Sequence, residues 1–165
     1  MFDNTKSNKG RIKDMKIAIG CDHAGVDCKN ELVKYLVNQG FEVKDFGTNT
    51  TESCDYPDIA FPVAKAVCFN ECDRGILICG TGVGIGICAN KVNGIRCALC
   101  NDAFVAELSR KHNNANMISL GARVIDVEKM KQIVSVFLST QFEGGRHQKR
   151  VDKITLIENS QKTRN

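Results

Sequence analysis

Five short apolar runs, separated by longer stretches with helical spacing, restrict this chain more than any other feature. The runs fall at 16–20, 41–45, 75–79, 95–100 and 117–120. Between them Val26, Val33, Leu36 and Val37 recur at helical intervals up to Gly40, and Val63 and Val67 do so within 58–70. A glycine-rich turn after the third run leads into a helix through Ala89, and 102–112 again has helical spacing. Asp126 can cap a long helix whose apolar residues Met130, Ile133, Val134, Phe137 and Leu138 share one face. A basic C-terminal helix is expected from about His147. Strands alternating with helices in this way predict a parallel sheet covered on both faces. The expectation is a single doubly wound α/β domain over 15–165, with a five-stranded parallel sheet, helices on both faces and a C-terminal helix. Residues 1–14 are polar and without periodicity, and are expected to form a disordered N-terminal extension.

A chain of 165 residues buries enough surface to fold without covalent staples. Its nine cysteines are odd in number and lie mostly in apolar runs such as Ile95-Arg96-Cys97-Ala98-Leu99-Cys100. With no signal-peptide pattern ahead of them, they read as reduced thiols in the cytoplasm rather than a disulfide scaffold. No apolar run approaches the roughly 20 residues of a membrane span, so no membrane partner is expected. The formal charge of +4 is concentrated at the ends: residues 1–14 carry +2, 146–165 carry +4, and the stretch between carries −2. A nucleic-acid binder spreads its basic footprint over a face of the fold, so nucleic acid is not an expected partner either.

Ligands of doubly wound folds bind beyond the carboxyl ends of the strands, which directs attention to the strand-to-helix turns. After the first strand comes Cys21-Asp22-His23-Ala24-Gly25, and after the third Cys79-Gly80-Thr81-Gly82-Val83-Gly84-Ile85-Gly86. Asn101 and Asp102 follow the fourth, and Gly121-Ala122-Arg123 the fifth; the helix after the fourth strand ends Ser109-Arg110-Lys111-His112-Asn113-Asn114. Four alternate glycines either make a tight turn with close helix packing or let backbone N–H groups converge on an anion. The run lacks the lysine of a Walker loop. Its only dinucleotide-like stretch, Gly84-Ile85-Gly86-Ile87-Cys88-Ala89, falls inside the presumed helix. A developing oxyanion or a small phosphorylated ligand fits better.

Cys79 stands directly before those N–H groups. A thiol is only slightly ionised at neutral pH and a helix N-terminus favours the thiolate, so Cys79 is a candidate base or nucleophile. The other eight cysteines read as small buried hydrophobes. Cys97-x-x-Cys100 lies in a strand with no second ligand pair, which argues against zinc. The three histidines, His23, His112 and His147, each follow an expected element end. Arg146 and Arg150 share a helix face and can either form a solvated helix end or grip a phosphate together with Arg123.

Five segments, in order, carry a resemblance. They are Gly20-Cys21-Asp22-His23-Ala24-Gly25, Asp55-Tyr56-Pro57, Ile78-Cys79-Gly80-Thr81-Gly82-Val83-Gly84-Ile85, Ser109-Arg110-Lys111-His112-Asn113 and Gly144-Gly145-Arg146-His147-Gln148-Lys149-Arg150-Val151. Over 15–159 the chain resembles the type B ribose-5-phosphate isomerases, a family that also contains galactose-6-phosphate isomerase subunits. The resemblance implies a metal-free, cofactor-free aldose–ketose isomerase of the pentose phosphate pathway, converting ribose 5-phosphate to ribulose 5-phosphate through an enediolate. It implies that Cys79 is the base moving a proton between C2 and C1. Gly80, Thr81, Gly82, Val83 and Gly84 would stabilise the oxyanion. His112 would open the furanose ring, Asp22 would contact sugar hydroxyls, and Tyr56 would close one side of the pocket. Arg123, Arg146 and Arg150, with His23 and Asn113, would form the polar and phosphate-binding set. Some relatives have serine at the Cys79 position and glutamate at that of Ile85, so this chain resembles the cysteine branch. The family forms dimers, some pairing into tetramers, with each site shared between subunits. Related hexose phosphates, allose 6-phosphate or galactose 6-phosphate, are alternative substrates, and a non-catalytic sugar-phosphate-binding module is an alternative role.

Overall fold

The computed structural model describes residues 14–160; the expectation for an N-terminal extension therefore lies almost wholly outside the described residues. Five strands, β1 (Lys16–Cys21), β2 (Glu42–Asp45), β3 (Arg74–Cys79), β4 (Cys97–Leu99) and β5 (Met117–Gly121), form an all-parallel sheet in the order β2-β1-β3-β5-β4. The run chosen from the sequence as central does lie in the middle. Ile76 of β3 pairs with Ile19 of β1 on one side and with Ile118 of β5 on the other.

Alternation along each strand divides two cores. Ile17, Ile19, Ile76, Ile78, Ile118 and Leu120 point to one face, which is covered by α1 (Val26–Asn38), α4 (Ala103–Asn113) and α5 (Val127–Ser139). Ala18, Leu77, Cys79 and Met117 point to the other, under α2 (Tyr56–Cys68) and α3 (Val83–Ala89). Both faces are apolar because both are buried, which is why the strands read as continuous runs. The last helix, α6 (Arg146–Ser160), packs on α4 and buries His147 and Val151. Among the described residues no helix is long and apolar enough to cross a membrane.

Local chemistry sets the helix starts. Asp102 and Asp126 accept the Val105 and Lys129 N–H groups at 2.7 and 2.8 Å, as N-caps do. All five expected inward residues of α5 are buried. Three expectations shift. Helix α2 begins at Tyr56 rather than 58, with Pro57 in its first turn, where the lost N–H has no helical partner to miss. Strand β4 covers only 97–99, because the Arg96 N–H is taken by Asn116 Oδ1 at 2.8 Å. In α1 the inward stripe is Val26, Lys29, Leu32 and Leu36, and Val37 is 54% exposed.

Lys29 is fully buried within that stripe, with its ammonium paired to the Asp45 carboxylate and donating to Asn49 Oδ1 at 3.1 Å. A buried lysine is tolerable only with such partners, and here they anchor the loop between β2 and α2 to the first helix. On the opposite side of the α1–α5 layer Phe137 is completely enclosed, with the Arg110 guanidinium over its ring. Phe137→Ala is expected to lower stability by about 3–5 kcal/mol, read from urea unfolding.

Candidate active site

The chain leaves β1 outward to β2 and leaves β3 in the opposite direction, toward β5 and β4. The crevice at that reversal opens between the carboxyl ends of β1 and β3, where Asp22 and Cys79 stand. Backbone bonds tie its parts together: Asp22 N–H to Ile78 O at 3.1 Å, Ala122 N–H to Cys79 O at 2.8 Å and Arg123 N–H to Gly80 O at 2.9 Å.

Cys79 is 5% exposed, and its Sγ accepts the Gly82 N–H at 3.1 Å. Gly82 has φ +78° and precedes α3. A side chain there would meet Leu99 Cδ1 at 2.6 Å and the Leu120 carbonyl carbon at 2.9 Å. Only glycine can turn the backbone so that this N–H faces the sulfur. Thr81 Oγ1 accepts the Val83 N–H at 3.3 Å, and the Arg123 guanidinium lies against Gly80. Tyr56 lies over Gly84, whose missing Cβ would otherwise stand 2.8 Å from the ring. Asp22 is buried, with Oδ1 accepting the Ala24 N–H at 2.9 Å. His23 Nδ1 accepts the Cys54 N–H at 3.3 Å, which leaves the neutral ring's proton on Nε2. The structure thus brings Asp22, His23, Tyr56, Cys79, the 80–84 turn and Arg123 to one end of the sheet.

The remaining candidates lie elsewhere. Helix α4 starts at the carboxyl end of the sheet and runs back about 16 Å to the amino end. There the Asn113 and Asn114 carbonyls accept from Arg96, which precedes β4. His112 and Asn113 therefore sit across the sheet from Cys79. The start of α6 is with them: His147 stacks on His112, with ring centroids 4.2 Å apart and planes within 8°. Arg146 and Arg150 are exposed on that helix. Within one chain they lie at the other end of the sheet from Arg123.

Two residues of this second cluster stand out only in three dimensions. His147 was legible as a polar residue near an element end, yet it is 5% exposed. Glu143, which no spacing marks, places Oε2 3.7 Å from His147 Nε2. His112, Glu143 and His147 bring ligand-type atoms within 4.8 Å of one another. The near-parallel rings keep their nitrogen lone pairs in separate planes, so they do not converge on a shared ion. Among the other thiols, burial pushes Cys21, Cys97 and Cys100 up to about 12, which keeps them protonated and inert.

Residues 17–154 match the Ribose/Galactose Isomerase family. The chain belongs to that family. It is 54% identical to ribose-5-phosphate isomerase B of Escherichia coli over 143 residues, covering 87% of this chain and 96% of that one. It is 46% identical to the D-erythrulose-4-phosphate isomerase of Pectobacterium atrosepticum, over 90% of this chain and 98% of the relative. Its fold matches the ribose-5-phosphate isomerase B structure from Clostridium thermocellum with a TM-score of 0.87 at 52% identity, over 88% and 99% of the two chains. The Mycoplasma genitalium ribose-5-phosphate isomerase B structure with bound ribulose-5-phosphate matches with a TM-score of 0.84 at 44% identity, over 87% and 96%. The fold, the membership and the enzyme class, sugar-phosphate isomerase, agree with what the residues suggested.

Gly82→Ala is expected to cost at least about 1–2 kcal/mol from the left-handed backbone alone, before the clash with Leu99. Thermal unfolding would show a lowered Tm, and isomerase activity would fall with the displaced N–H.

Proposed function

We propose that the protein interconverts ribose 5-phosphate and ribulose 5-phosphate, with Cys79 as the base. The observation that carries this is a buried thiol at the sheet's reversal point, its sulfur receiving the Gly82 N–H inside a turn of further N–H groups. The Cys79 thiolate takes the C2 proton of the open-chain aldose and returns it to C1 of the enediolate. The negative oxygen between those events rests on the N–H groups of the 80–84 turn that neither Cys79 nor Thr81 engages, those of Gly80 and Gly84, and on the Thr81 hydroxyl. Asp22 holds the sugar hydroxyls, and Tyr56 bounds the pocket over Gly84.

His112 opens the furanose ring, and Asn113, Arg146 and Arg150 join His23 and Arg123 around the phosphate. Since these residues occupy opposite ends of one sheet, the site is completed by a second copy whose α4 and α6 reach the first copy's Cys79. A two-fold pair does this twice, so each dimer has two sites. Val83, Leu99, Phe104 and Val105 leave apolar surface exposed near the carboxyl end, which supports such a contact. The reaction needs no metal, and pentose interconversion places the protein in cytoplasmic sugar metabolism.

The likeness to the D-erythrulose-4-phosphate isomerase favours a second reading, in which a four-carbon sugar phosphate is the preferred substrate. Initial rates with ribose 5-phosphate, erythrose 4-phosphate, allose 6-phosphate and galactose 6-phosphate separate these readings, since the natural substrate shows the highest kcat/KM. Cys79→Ala is expected to abolish isomerisation of ribose 5-phosphate while retaining its binding in calorimetry; full activity would remove the assigned base, and an inactive wild type would favour a binding module. Arg146→Ala and Arg150→Ala are expected chiefly to raise KM, and an unchanged KM in both would remove the phosphate grip. Mixing unfolded and refolded Cys79→Ala and His112→Ala chains tests the shared site. Random pairing then restores about a quarter of wild-type activity, because each mixed dimer keeps one intact site; no recovery would place each site within a single chain.

A further inference from the structure

We propose that His147 is a positioning residue for ring opening: its imidazole, stacked flat on His112, holds the His112 ring in the orientation that delivers a proton to the sugar's ring oxygen. The inference rests on the reading of His112 given above and adds a residue that touches no substrate. Three observations carry it. The two rings lie 4.2 Å apart and within 8° of parallel, so His112 cannot rotate about its outer bond without losing the whole contact. His147 is itself fixed, 5% exposed at the start of α6, with Arg146 Nε donating to its Nε2 at 3.5 Å and Glu143 Oε2 at 3.7 Å. Its other ring nitrogen, Nδ1, is buried and has no hydrogen-bond partner among the described residues.

An unpartnered buried ring nitrogen is a cost that packing alone gives no reason to retain, because an apolar ring of similar size would fill the same space without it. Burial, and then the charges of His112, Arg146 and Arg150, hold His147 below the usual histidine range, while Glu143 opposes them. His147 therefore presents a neutral face to His112. A protonated His112 ring is favoured over such a face by its π electrons, whereas two stacked cations would repel.

The test compares two reactions of the same enzyme. Ribose 5-phosphate is a furanose and must be opened. Ribulose 5-phosphate cannot form a furanose, because its 5-oxygen is esterified, so exchange of its C1 proton with D2O requires the Cys79 base but no ring opening. His147→Ala is expected to slow ribose 5-phosphate isomerisation about 10- to 100-fold, the usual cost of a misplaced group, while exchange into ribulose 5-phosphate changes less than about twofold. His147→Phe, which keeps a flat ring, is expected to recover most of the lost rate. Equal losses in both reactions, or no loss in either, would overturn the proposal, and the exchange rate also reports that the variant is folded. His112→Ala is the reference. If it separates the two reactions and His147→Ala does not, the positioning role alone falls; if His112→Ala does not separate them, the ring-opening reading falls and takes this role with it.

Discussion

The turn after β3 is the constraint on which the rest of the site depends. Strand β3 is enclosed on both faces and both edges, so Cys79 at its end has no freedom to move sideways. The chain must leave that strand, reverse direction and enter α3 within three residues, beside a β4 side chain and β5 backbone that leave no room for a Cβ at Gly82. Meeting that steric demand with a left-handed glycine turns the Gly82 N–H back toward the sulfur. The donor is therefore placed by the packing of the sheet and not by a flexible side chain. Electrostatic support of this kind is worth most when nothing has to reorganise as charge appears.

A second consequence follows from the architecture. In a parallel sheet every covering helix returns from the carboxyl end to the amino end, so a residue at the start of a helix is near the strand-end turns and one at its finish is far from them. Asp22 and Arg123 occupy the near positions, and His112 and Asn113 the far ones. No rotamer choice bridges a helix length. Under the proposed function, the covalent order of this fold makes a second copy a chemical requirement, and association becomes part of building the active site rather than an addition to it.

Much of this was legible in the residues, for identifiable reasons. β3 declares itself because burial on both faces demands five consecutive apolar or small residues, and the caps at Asp102 and Asp126 are local chemistry that tertiary structure had no reason to override. Lys29 shows the limit. It occupies a core position in the stripe with Val26, Leu32 and Leu36, and only the distant Asp45 and Asn49 make its burial tolerable. Periodicity cannot report a partner sixteen or twenty residues away. Val37 falls outside the stripe for the same reason, since a lysine rather than an apolar residue completes it. The division of the candidate residues between the two ends of one chain's sheet is decided by strand order and helix direction, not residue type, so in the sequence only the family resemblance, with its shared sites, points to it.

The charge distribution gains meaning from that division. The start of α6 carries Arg146 and, one turn on, Arg150 outward while His147, next to Arg146, turns inward onto His112. A helix advances about 100° per residue, so five consecutive residues can face the solvent with two guanidinium groups and the core with one imidazole. The positive charge at this end therefore does two jobs that a diffuse basic surface could not. Under the proposed function it offers two guanidinium groups to a phosphate arriving from outside, and it disfavours a proton on the buried His147. Glu143 moderates the second effect without reaching the first, because it lies against His147 on the loop leading into the helix. The charge that acts on this imidazole is thus that of Arg146 and Arg150 against Glu143, and the chain's net +4, to which residues 1–14 contribute +2 and the stretch between the ends −2, does not report it.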